Sequence, residues 1–337
     1  MKTLIGSALA LALWAGVAPA ATLTDDLGQK IELPHPAHRI ADAWYAHHSL
    51  LMTLGAGDLI VATVNHPADR PWMFKVQPSL GQALQAHGKT FSSEALVAHH
   101  VDAIFVPAQD PDAIGYRQAA IPTFSMQFDD VDSMKRSLLT TAQVVGTPEA
   151  QRRAQRYNRY LDAQIAAVST KTALLTEAQR PRVLHIQSLH PLKIDGSQTL
   201  IDTWIRLAGG RNAAAQVKGN MKEVSPEQII AWDPDVIIIG AGAGRLEDSQ
   251  YAALFRGVKA VQQHRVLQNP SGVFPWDRYG TEVALQILWA AKQLHPQLFS
   301  QLDIVAATRA FYQRFYDYPL RADEAERILA ALPPVSG

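Results

Sequence analysis

Residues 92–106 read SSEALVAHHVDAIFV, and residues 225–239 read SPEQIIAWDPDVIII. In each stretch an acid, Glu94 or Glu227, lies eight residues before the Asp that precedes an apolar run. The Ser and the early acid are typical of a helix start, and the apolar run is typical of a buried strand. Each copy is therefore expected to be a capped helix, a short turn and a strand. Their recurrence predicts two related α/β lobes.

The same alternation extends on both sides of the repeat. Residues 22–40 alternate apolar and polar side chains around Asp26-Leu27-Gly28, which predicts a β-hairpin. From Ile40 onward, short apolar strands alternate with helices, so we expect parallel-rich, Rossmann-like sheets covered on both faces. The strand candidates of the first half are residues 39–43, 59–64, 103–106 and 123–124.

A long helix is predicted between the two lobes. Thr147 is a cap-type residue, Pro148 suits the first helical position, and Glu149 is an early acid. The helical pattern then continues to about Gln179, before Pro181. The resulting division is a signal peptide at 1–20, an N-terminal α/β lobe at 21–146, a bridging helix at 147–180 and a C-terminal α/β lobe at 181–337.

The N-terminus has the pattern of an export signal. Lys2 provides a short positive region, residues 4–17 are apolar, and Ala18-Pro19-Ala20 provides the small residues of a cleavage site. The apolar stretch is too short for a spanning helix. We therefore expect an exported protein without a membrane anchor, located in a Gram-negative periplasm.

Composition narrows the class of function. Lys and Arg number 31, equal to Asp and Glu, so a nucleic-acid partner is not expected. The chain has no Cys, which excludes a lipoprotein signal, disulfides and thiolate metal ligands. Any metal would have to be bound by His, Tyr, Asp or Glu, or by its own chelator.

The loops that follow the predicted strands contain the candidate ligand-binding residues. Ligands in open α/β sheets bind beyond the carboxyl ends of the strands. Aromatic rings offer flat apolar contacts, and Arg pairs with anionic oxygens. His and phenolate Tyr can ligate iron, nickel or cobalt. The candidates are Trp44, Tyr45, His47, His48, His66, His190, Trp276, Arg278 and Tyr279, of which His48, His66, His190 and Tyr279 are the candidate metal ligands.

Not every His or Trp is expected to face a ligand. His47 and His48 are adjacent, so their side chains diverge by about 100° at a helix start and at most one should reach the ligand well. Arg278 could instead pair with Asp277 or a helix end. Residues expected to be structural are His35, His38, His87, His99, His100, His185, His264 and His295, together with Trp204, Trp232 and Trp289.

Two motif-like patterns are rejected. Gly240, Gly242 and Gly244 follow an apolar run, but the third Gly of G-x-G-x-x-G is absent. Ser188, His190 and Asp195 do not form a hydrolase motif, because the G-x-S-x-G elbow is missing. Neither a dinucleotide site nor an esterase is expected.

The chain resembles the periplasmic binding proteins of ABC importers for ferric siderophores, haem and cobalamin. The resemblance rests on residues 22–40, the paired 92–106 and 225–239, residues 200–214 and residues 272–296, which together extend over almost all of the mature chain. It implies two lobes joined by one rigid helix and a ligand cleft between them. It also implies that one acid per lobe docks onto arginines of the permease, and Glu94 and Glu227 match those acids. The chain departs from the pattern at His99-His100-Val101, where such proteins have Lys-Pro before the Asp.

The expected function is capture of a metal chelate, most simply a ferric siderophore-type complex, and its delivery to a permease dimer by a monomer that needs no cofactor. Haem or a nickel or cobalt chelate is an alternative. The closest rival is an oxyanion such as molybdate, held by Arg278 and helix N-termini. An enzyme, either a hydrolase or a chelatase, would use His47, His66 and His190 around a metal. A sensing module that docks without import is a further alternative.

Overall fold

The computed structural model describes residues 20–335. Within that range no helix is long and apolar enough to cross a membrane. The predicted signal peptide lies outside the described residues, apart from Ala20. The strands are β1 Ala21–Thr24, β2 Lys30–Leu33, β3 Ile40–Asp42, β4 Ile60–Thr63, β5 Leu84–Gln85, β6 Ala103–Pro107, β7 Thr123–Met126, β8 Arg182–Leu189, β9 Leu192–Ile194, β10 Arg211–Asn212, β11 Lys222–Glu223, β12 Val236–Ile239 and β13 Val266–Gln268.

The helices cover and connect these strands. They are α1 His48–Thr53, α2 Pro71–Val76, α3 Ser93–Ala98, α4 Ala113–Gln118, α5 Val131–Val145, α6 Pro148–Thr172, α7 Leu200–Leu207, α8 Pro226–Trp232, α9 Lys259–Gln262, α10 Val283–Leu294, α11 Ile304–Phe315 and α12 Ala322–Leu329. Short 3₁₀ turns lie between several of them, including Glu177–Gln179.

The first half forms the predicted hairpin and a parallel sheet. Strands β1 and β2 pair antiparallel, which confirms the hairpin around Asp26-Leu27-Gly28. The sheet has the order β5-β4-β3-β6-β7, and each described pairing within it is parallel. Its strands overlap the four predicted segments. Their carboxyl ends meet at one edge, where the loops into the following helices form one side of a cleft.

The second half forms a mixed sheet with the order β11-β9-β8-β12-β13, and β10 also pairs with β8. Strands β8, β12 and β13 are parallel, whereas β9 turns back antiparallel on β8. This hairpin brings Asp195, immediately after β9, beside His185 of β8. A buried carboxylate is thereby placed below the loops of the second half.

Both sheets are covered on two faces, as the fold prediction requires. In β6, Ala103 and Phe105 pack into one hydrophobic cluster, and Ile104 and Val106 pack into another. In β12 the same alternation separates residues 236 and 238 from residues 237 and 239. One cluster is shared by the two sheets and includes buried residues of α6. The lobes are therefore joined through a common core.

Helix α6 begins as predicted but ends earlier. The Thr147 side chain accepts from the N–H of Ala150 at 3.1 Å, and Pro148 is the first helical residue. The helix ends at Thr172 rather than near Gln179. The Ser169–Thr172 turn is made of weak helix formers apart from one Lys, and Thr176 caps the separate 3₁₀ turn that follows.

Buried side chains of α6 fasten it to both halves. Arg153 donates from Nε to the carbonyl of Thr53 at 2.9 Å and from Nη1 to Asp317 at 2.8 Å. The Tyr157 hydroxyl donates to the carbonyl of Thr281 at 2.6 Å. These bonds join α6 to the ends of elements in both halves.

Candidate functional site

The cleft between the lobes contains a cavity of about 590 Å³. The carboxyl-end loops of both sheets and the C-terminal segment contribute to its walls. Its lining includes Trp44, Tyr45, Asp69, Arg70, Trp72, Lys89, Gln187, Met221, Ser271, Phe274, Asp277, Arg278, Tyr279, Ala331, Leu332 and Pro333. The structure thus brings together Trp44, Tyr45, Arg278 and Tyr279 of the nine predicted ligand-binding residues.

A smaller cavity of about 350 Å³ adjoins the first. Trp44, Arg278 and Tyr279 line both cavities. The rings of Trp44 and Tyr279 approach to 6.3 Å between centroids across the cleft, and Phe128 lies 5.1 Å from Trp44 and 5.7 Å from Tyr279. An aromatic cluster contributed by both lobes therefore separates the two parts of the cleft.

His47 and His48 do not reach the ligand cavity, which corrects the prediction for both. Their side chains are fully buried. His47 Nδ1 lies 2.9 Å from Asp42 Oδ2 and its Nε2 lies 2.9 Å from Thr141 Oγ1. His48 Nε2 lies 2.7 Å from Thr63 Oγ1. The helix that starts at His48 turns both rings away from the cleft, so their role is to hold the Trp44 loop on the sheet.

The electrostatic state of His48 fits that structural role. Burial lowers its pKa, and the nearby Asp42 carboxylate only partly offsets this effect. The ring is therefore neutral, with Nδ1 donating to the carbonyl of Trp44 at 3.2 Å. The carbonyl of Trp44 is fixed by this bond, while its N–H donates to Asp42 at 3.1 Å.

The remaining metal-ligand candidates are also dispersed. His66 Nδ1 lies 2.9 Å from Gln85 Oε1, and the exposed His190 stacks on Tyr251 at 6.3 Å between ring centroids. Neither lines the two cavities described above. Burial raises the pKa of Tyr279 to about 12, so it is a phenol rather than a phenolate. Among residues 20–335, no three His, Cys, Asp or Glu side chains form a group able to hold a metal ion.

Trp276 is a core residue, which corrects its assignment to the cleft wall. Its ring is fully buried, and Nε1 donates to Glu282 at 3.0 Å. Glu282 also accepts from the N–H of Phe274 at 2.8 Å. Burial raises the pKa of Glu282 to about 7 despite these donors. This buried acid shapes the 272–276 loop so that Phe274, rather than Trp276, faces the cavity.

Arg278 is held by a buried network of the second half. Its Nη1 donates to Asp195 Oδ2 and to Gln187 Oε1, each at 3.0 Å. His185 bridges Asp195 at 2.8 Å and Asp277 at 2.7 Å. The predicted alternative partner of Arg278, Asp277, is instead the partner of His185, which has a structural role as expected but is fully buried.

Charges within this network stabilise one another. Burial lowers the pKa of His185, but its hydrogen bonds to Asp195 and Asp277 outweigh this effect and raise the value to about 9. Burial alone would raise the pKa of Asp195, but Arg278 and His185 outweigh this effect and lower the value to about 2. His185 and Asp195 are thus charged at neutral pH. The Arg278 side chain is 13% exposed and lines the cavity.

Arg70 is a second cationic residue of the cavity, and it was missed from the sequence. Its guanidinium lies 4.9 Å from the centroid of Phe274, across the cleft. Nη1 donates to the carbonyl of Asp69 at 2.8 Å, whereas the buried Nε has no hydrogen-bond partner among the described residues. Burial lowers its pKa, and Asp69 partly offsets this. Arg70 lies at the start of α2, just after a strand-end loop, and this position is the feature of the sequence that could have identified it as a cavity residue.

The two acids singled out by the sequence repeat occupy equivalent places in the two lobes. Both are exposed in the first turn of a Ser-capped helix, Glu94 in α3 and Glu227 in α8. Three residues later each helix exposes an apolar side chain, Val97 at 52% and Ile230 at 40%. Residues three apart lie on the same helix face. Each lobe therefore presents an acid beside an apolar residue.

The strands that follow these two helices, β6 and β12, are preceded by the same pair of hydrogen bonds in each lobe. Asp102 accepts from the N–H of Arg39 at 2.9 Å, and its own N–H donates to the Arg39 carbonyl at 2.8 Å. Asp235 accepts from the N–H of Arg182 at 2.8 Å, and its N–H donates to the Arg182 carbonyl at 2.9 Å. The repeat in the sequence thus corresponds to a repeated structure.

Comparison with known proteins defines the class. A family model described as "Periplasmic binding protein" matches residues 45–272, and the chain belongs to this family. It is 30% identical to the molybdate-binding protein MolA of Haemophilus influenzae, over 36% of this chain and 35% of that protein. It is 28% identical to a cobalamin-binding protein of Halobacterium salinarum, over 46% and 42% of the two chains. The chain thus matches less than half the length of these curated relatives.

Solved structures show the same fold. A periplasmic solute-binding protein of Veillonella parvula superposes with a TM-score of 0.77 at 23% identity, covering 92% of this chain and 97% of the other. Molybdate-bound MolA of H. influenzae superposes with a TM-score of 0.78 at 19% identity, covering 89% of this chain and 99% of the other. Helicobacter pylori CeuE in a nickel–histidine complex superposes with a TM-score of 0.74 at 18% identity, covering 92% of this chain and 99% of the other. The two-lobe fold predicted from the sequence is confirmed.

Proposed function

We propose that this protein captures an anionic metal chelate, most simply a ferric siderophore-type complex, and delivers it to the permease of an ABC importer. The observation that carries the proposal is that Arg70 and Arg278, from opposite lobes, line one cavity of about 590 Å³. Cavities of about 300–1,000 Å³ suit organic ligands of drug size. Two guanidinium groups suit carboxylate, catecholate or other anionic oxygens of the chelator.

The aromatic lining supports a chelate with flat apolar parts. Trp44 and Tyr45 lie on the first lobe, and Phe274 and Tyr279 lie on the second. Rings on opposite walls contact planar groups without needing directional bonds. His66 and His190 lie outside the cavity, where they contact Gln85 and Tyr251, and the Tyr279 hydroxyl accepts a hydrogen bond from Asn220. This favours a metal that arrives with its own ligands over one bound directly by this chain.

An oxyanion such as molybdate is the second candidate. The relative that is 30% identical over part of the chain is a molybdate-binding protein, and the unpartnered Nε of Arg70 is a donor that an oxyanion could accept from. Against it, a small inorganic ion would occupy only a minor part of the cavity. Haem and a nickel, cobalt or cobalamin-type chelate remain alternatives on the same fold.

We infer that the chain acts by binding rather than catalysis, as a monomer in the periplasm, exported by its N-terminal segment and needing no resident cofactor. Glu94 and Glu227 are the proposed contacts with basic residues of a permease dimer. The pairing of each acid with an exposed apolar neighbour supports this role, because a two-fold partner would meet the same surface on each lobe.

The deciding experiment is native mass spectrometry with metal analysis of the protein from periplasm, followed by tryptophan fluorescence titration. The titrants are a ferric tris-catecholate, haem, cobalamin, nickel with histidine, and molybdate. Saturable quenching by the ferric complex at micromolar or lower concentration supports the chelate proposal. Tight binding of molybdate alone would overturn it in favour of the oxyanion. Metal-dependent turnover of a chromogenic ester would overturn the assignment as a binder.

A further inference from the structure

Helix α2 of the first lobe is fastened to the C-terminal segment of the chain. Trp72, which is 2% exposed, donates from Nε1 to the carbonyl of Leu332 at 2.9 Å. One turn later, Lys75 Nζ lies 2.9 Å from Glu324 Oε1, and the Glu324 side chain is only 3% exposed. The Lys75 ammonium also lies 5.5 Å from the Trp72 ring centroid. These contacts form one continuous seam between α2 and the chain end.

The same segment is attached to the second lobe. The N–H of Ser271 donates to the carbonyl of Ile328 at 3.0 Å, which ties α12 to the loop before Phe274. The N–H of Leu332 donates to the carbonyl of Arg327 at 2.8 Å and continues the helix end into the tail. A chain segment bound to the second lobe is thus also bound to α2 of the first.

This segment is a wall of the ligand cavity. Residues 331–333 line the cavity of about 590 Å³. The other side of the same wall, residues 330–332, borders a neighbouring cavity of about 430 Å³. Displacement of the segment would join the two spaces and open the cleft on that side. The position of the tail therefore determines the size of the cavity.

We propose that Trp72 and Lys75 are positioning residues that clasp the C-terminal segment across the cleft, so that residues 331–333 determine which ligands fit and how long they are retained. The inference rests on the proposed function in that the cleft is the ligand site, and it adds a specificity element that strand-end loops do not provide. Loss of the clasp widens the cavity and shortens ligand residence.

The absence of Cys allows a direct test of lobe separation. Glu94→Cys with Glu227→Cys provides two exposed labelling sites, one per lobe, for distance measurement by electron–electron double resonance. We expect Trp72→Phe with Lys75→Met to broaden the distance distribution and shift it to longer values. The matched control is Trp232→Phe with Lys171→Met, because Trp232 is also a buried tryptophan and Lys171 also lies over an aromatic ring, 5.1 Å from Phe299. An unchanged distribution in the clasp variant overturns the proposal.

A second measurement uses two probes, a ferric tris-catecholate and molybdate. The clasp variant should release the bound probe about tenfold faster in stopped-flow fluorescence, the effect expected for one charge-assisted hydrogen bond. Release at the wild-type rate contradicts the clasp and leaves the proposed function intact. If wild-type protein binds neither probe, the ferric catecholate and molybdate assignments both fail, and the distance measurement alone decides the clasp.

Discussion

Arg278 Nη1 and Asp195 Oδ2 lie 3.0 Å apart, although 83 residues separate them in the chain. The carboxylate is fully buried, and the guanidinium is partly open to the cleft. His185 binds the same carboxylate from the other side at 2.8 Å. A cation of the ligand cavity is therefore positioned by a charged network beneath it, rather than by its neighbours in the loop.

Replacing Asp195 with Asn should destabilise the protein by about 3–5 kcal/mol, because the change leaves Arg278 and charged His185 with a neutral partner in a buried place. Urea denaturation of the two proteins would measure the loss. Asp323→Asn is the control, since its partner Arg321 is exposed and the pair should contribute little. Equal stability of the Asp195 variant and wild type would show that the network is not a buried charge pair.

Arg278→Gln and Arg70→Gln should each weaken binding of an anionic ligand by about 10- to 100-fold, because each removes a charged donor from the cavity. Fluorescence titration with a ferric tris-catecholate and with molybdate would report both variants. Arg152→Gln, on the exposed face of α6, should leave the affinity unchanged. Wild-type affinity in both cavity variants would show that neither guanidinium group binds the ligand.

Stability should depend on pH through His185. Its folded pKa of about 9 lies above the ordinary value of 6.5, so the folded state binds its proton more tightly. The resulting stabilisation is complete below pH 6.5 and is lost as pH rises through 9. Urea unfolding at pH 6, 8 and 9.5 should show this decline, and His185→Gln should reduce its slope. A decline of equal slope in the variant would assign the effect to other groups.

The stability of the protein at acidic pH should depend on Asp195. Its folded pKa of about 2 lies below the ordinary value of 3.8. Its contribution is therefore present above pH 3.8 and is lost as pH falls through 2. Unfolding followed from pH 5 to pH 2 should show less acid sensitivity in Asp195→Asn than in wild type. Identical acid profiles would contradict the charged state assigned to Asp195.

Both lobes should contribute to permease docking. Glu94→Lys with Glu227→Lys should abolish ligand uptake and permease-stimulated ATP hydrolysis while ligand affinity is unchanged, because both side chains are exposed outside the cleft. Val97→Ser with Ile230→Ser should reduce stimulation partially. Glu149→Lys, exposed on α6, serves as the charge-reversal control. Uptake that survives the double Glu change would refute the docking assignment and favour the sensing alternative.

Histidine variants separate structural from ligand-binding roles. His48→Ala should destabilise the protein by about 1–3 kcal/mol, since it removes a buried ring together with its hydrogen bonds to Thr63 and to the Trp44 carbonyl. His190→Ala should change neither stability nor chelate affinity, because the ring is exposed. Thermal unfolding and the titration above measure both effects. Loss of chelate binding in His190→Ala would show instead that His190 binds the ligand.

Sequence periodicity was sufficient for the fold because burial leaves a local record. The repeat at 92–106 and 225–239 predicted helix, turn and strand in each lobe, and both copies form these elements. Thr147 and Pro148 also marked the start of α6 correctly, since capping depends on neighbouring residues. The end of α6 was overestimated, because no local residue in 173–180 shows that tertiary contacts stop supporting the helix.

The candidate site was only partly predictable, because loop position does not determine which way a side chain points. Trp44 and Arg278 line the cavity, whereas His47, His48 and Trp276, in the same two loops, are buried. Buried hydrogen-bond partners draw these rings into the core: Thr141, 94 residues away, for His47, and Glu282, six residues away, for Trp276.

By itself, the sequence determined the α/β class, the two-lobe repeat, the family resemblance and the loops that border the cleft, since these depend on local hydrophobic pattern and capping. Only the tertiary structure decided that Arg70 joins Arg278 at one cavity and that the chain end forms one of its walls. The physical reason is that these groups meet through contacts between distant segments, such as Trp72 with Leu332, which are 260 residues apart. Local sequence carries no record of such contacts.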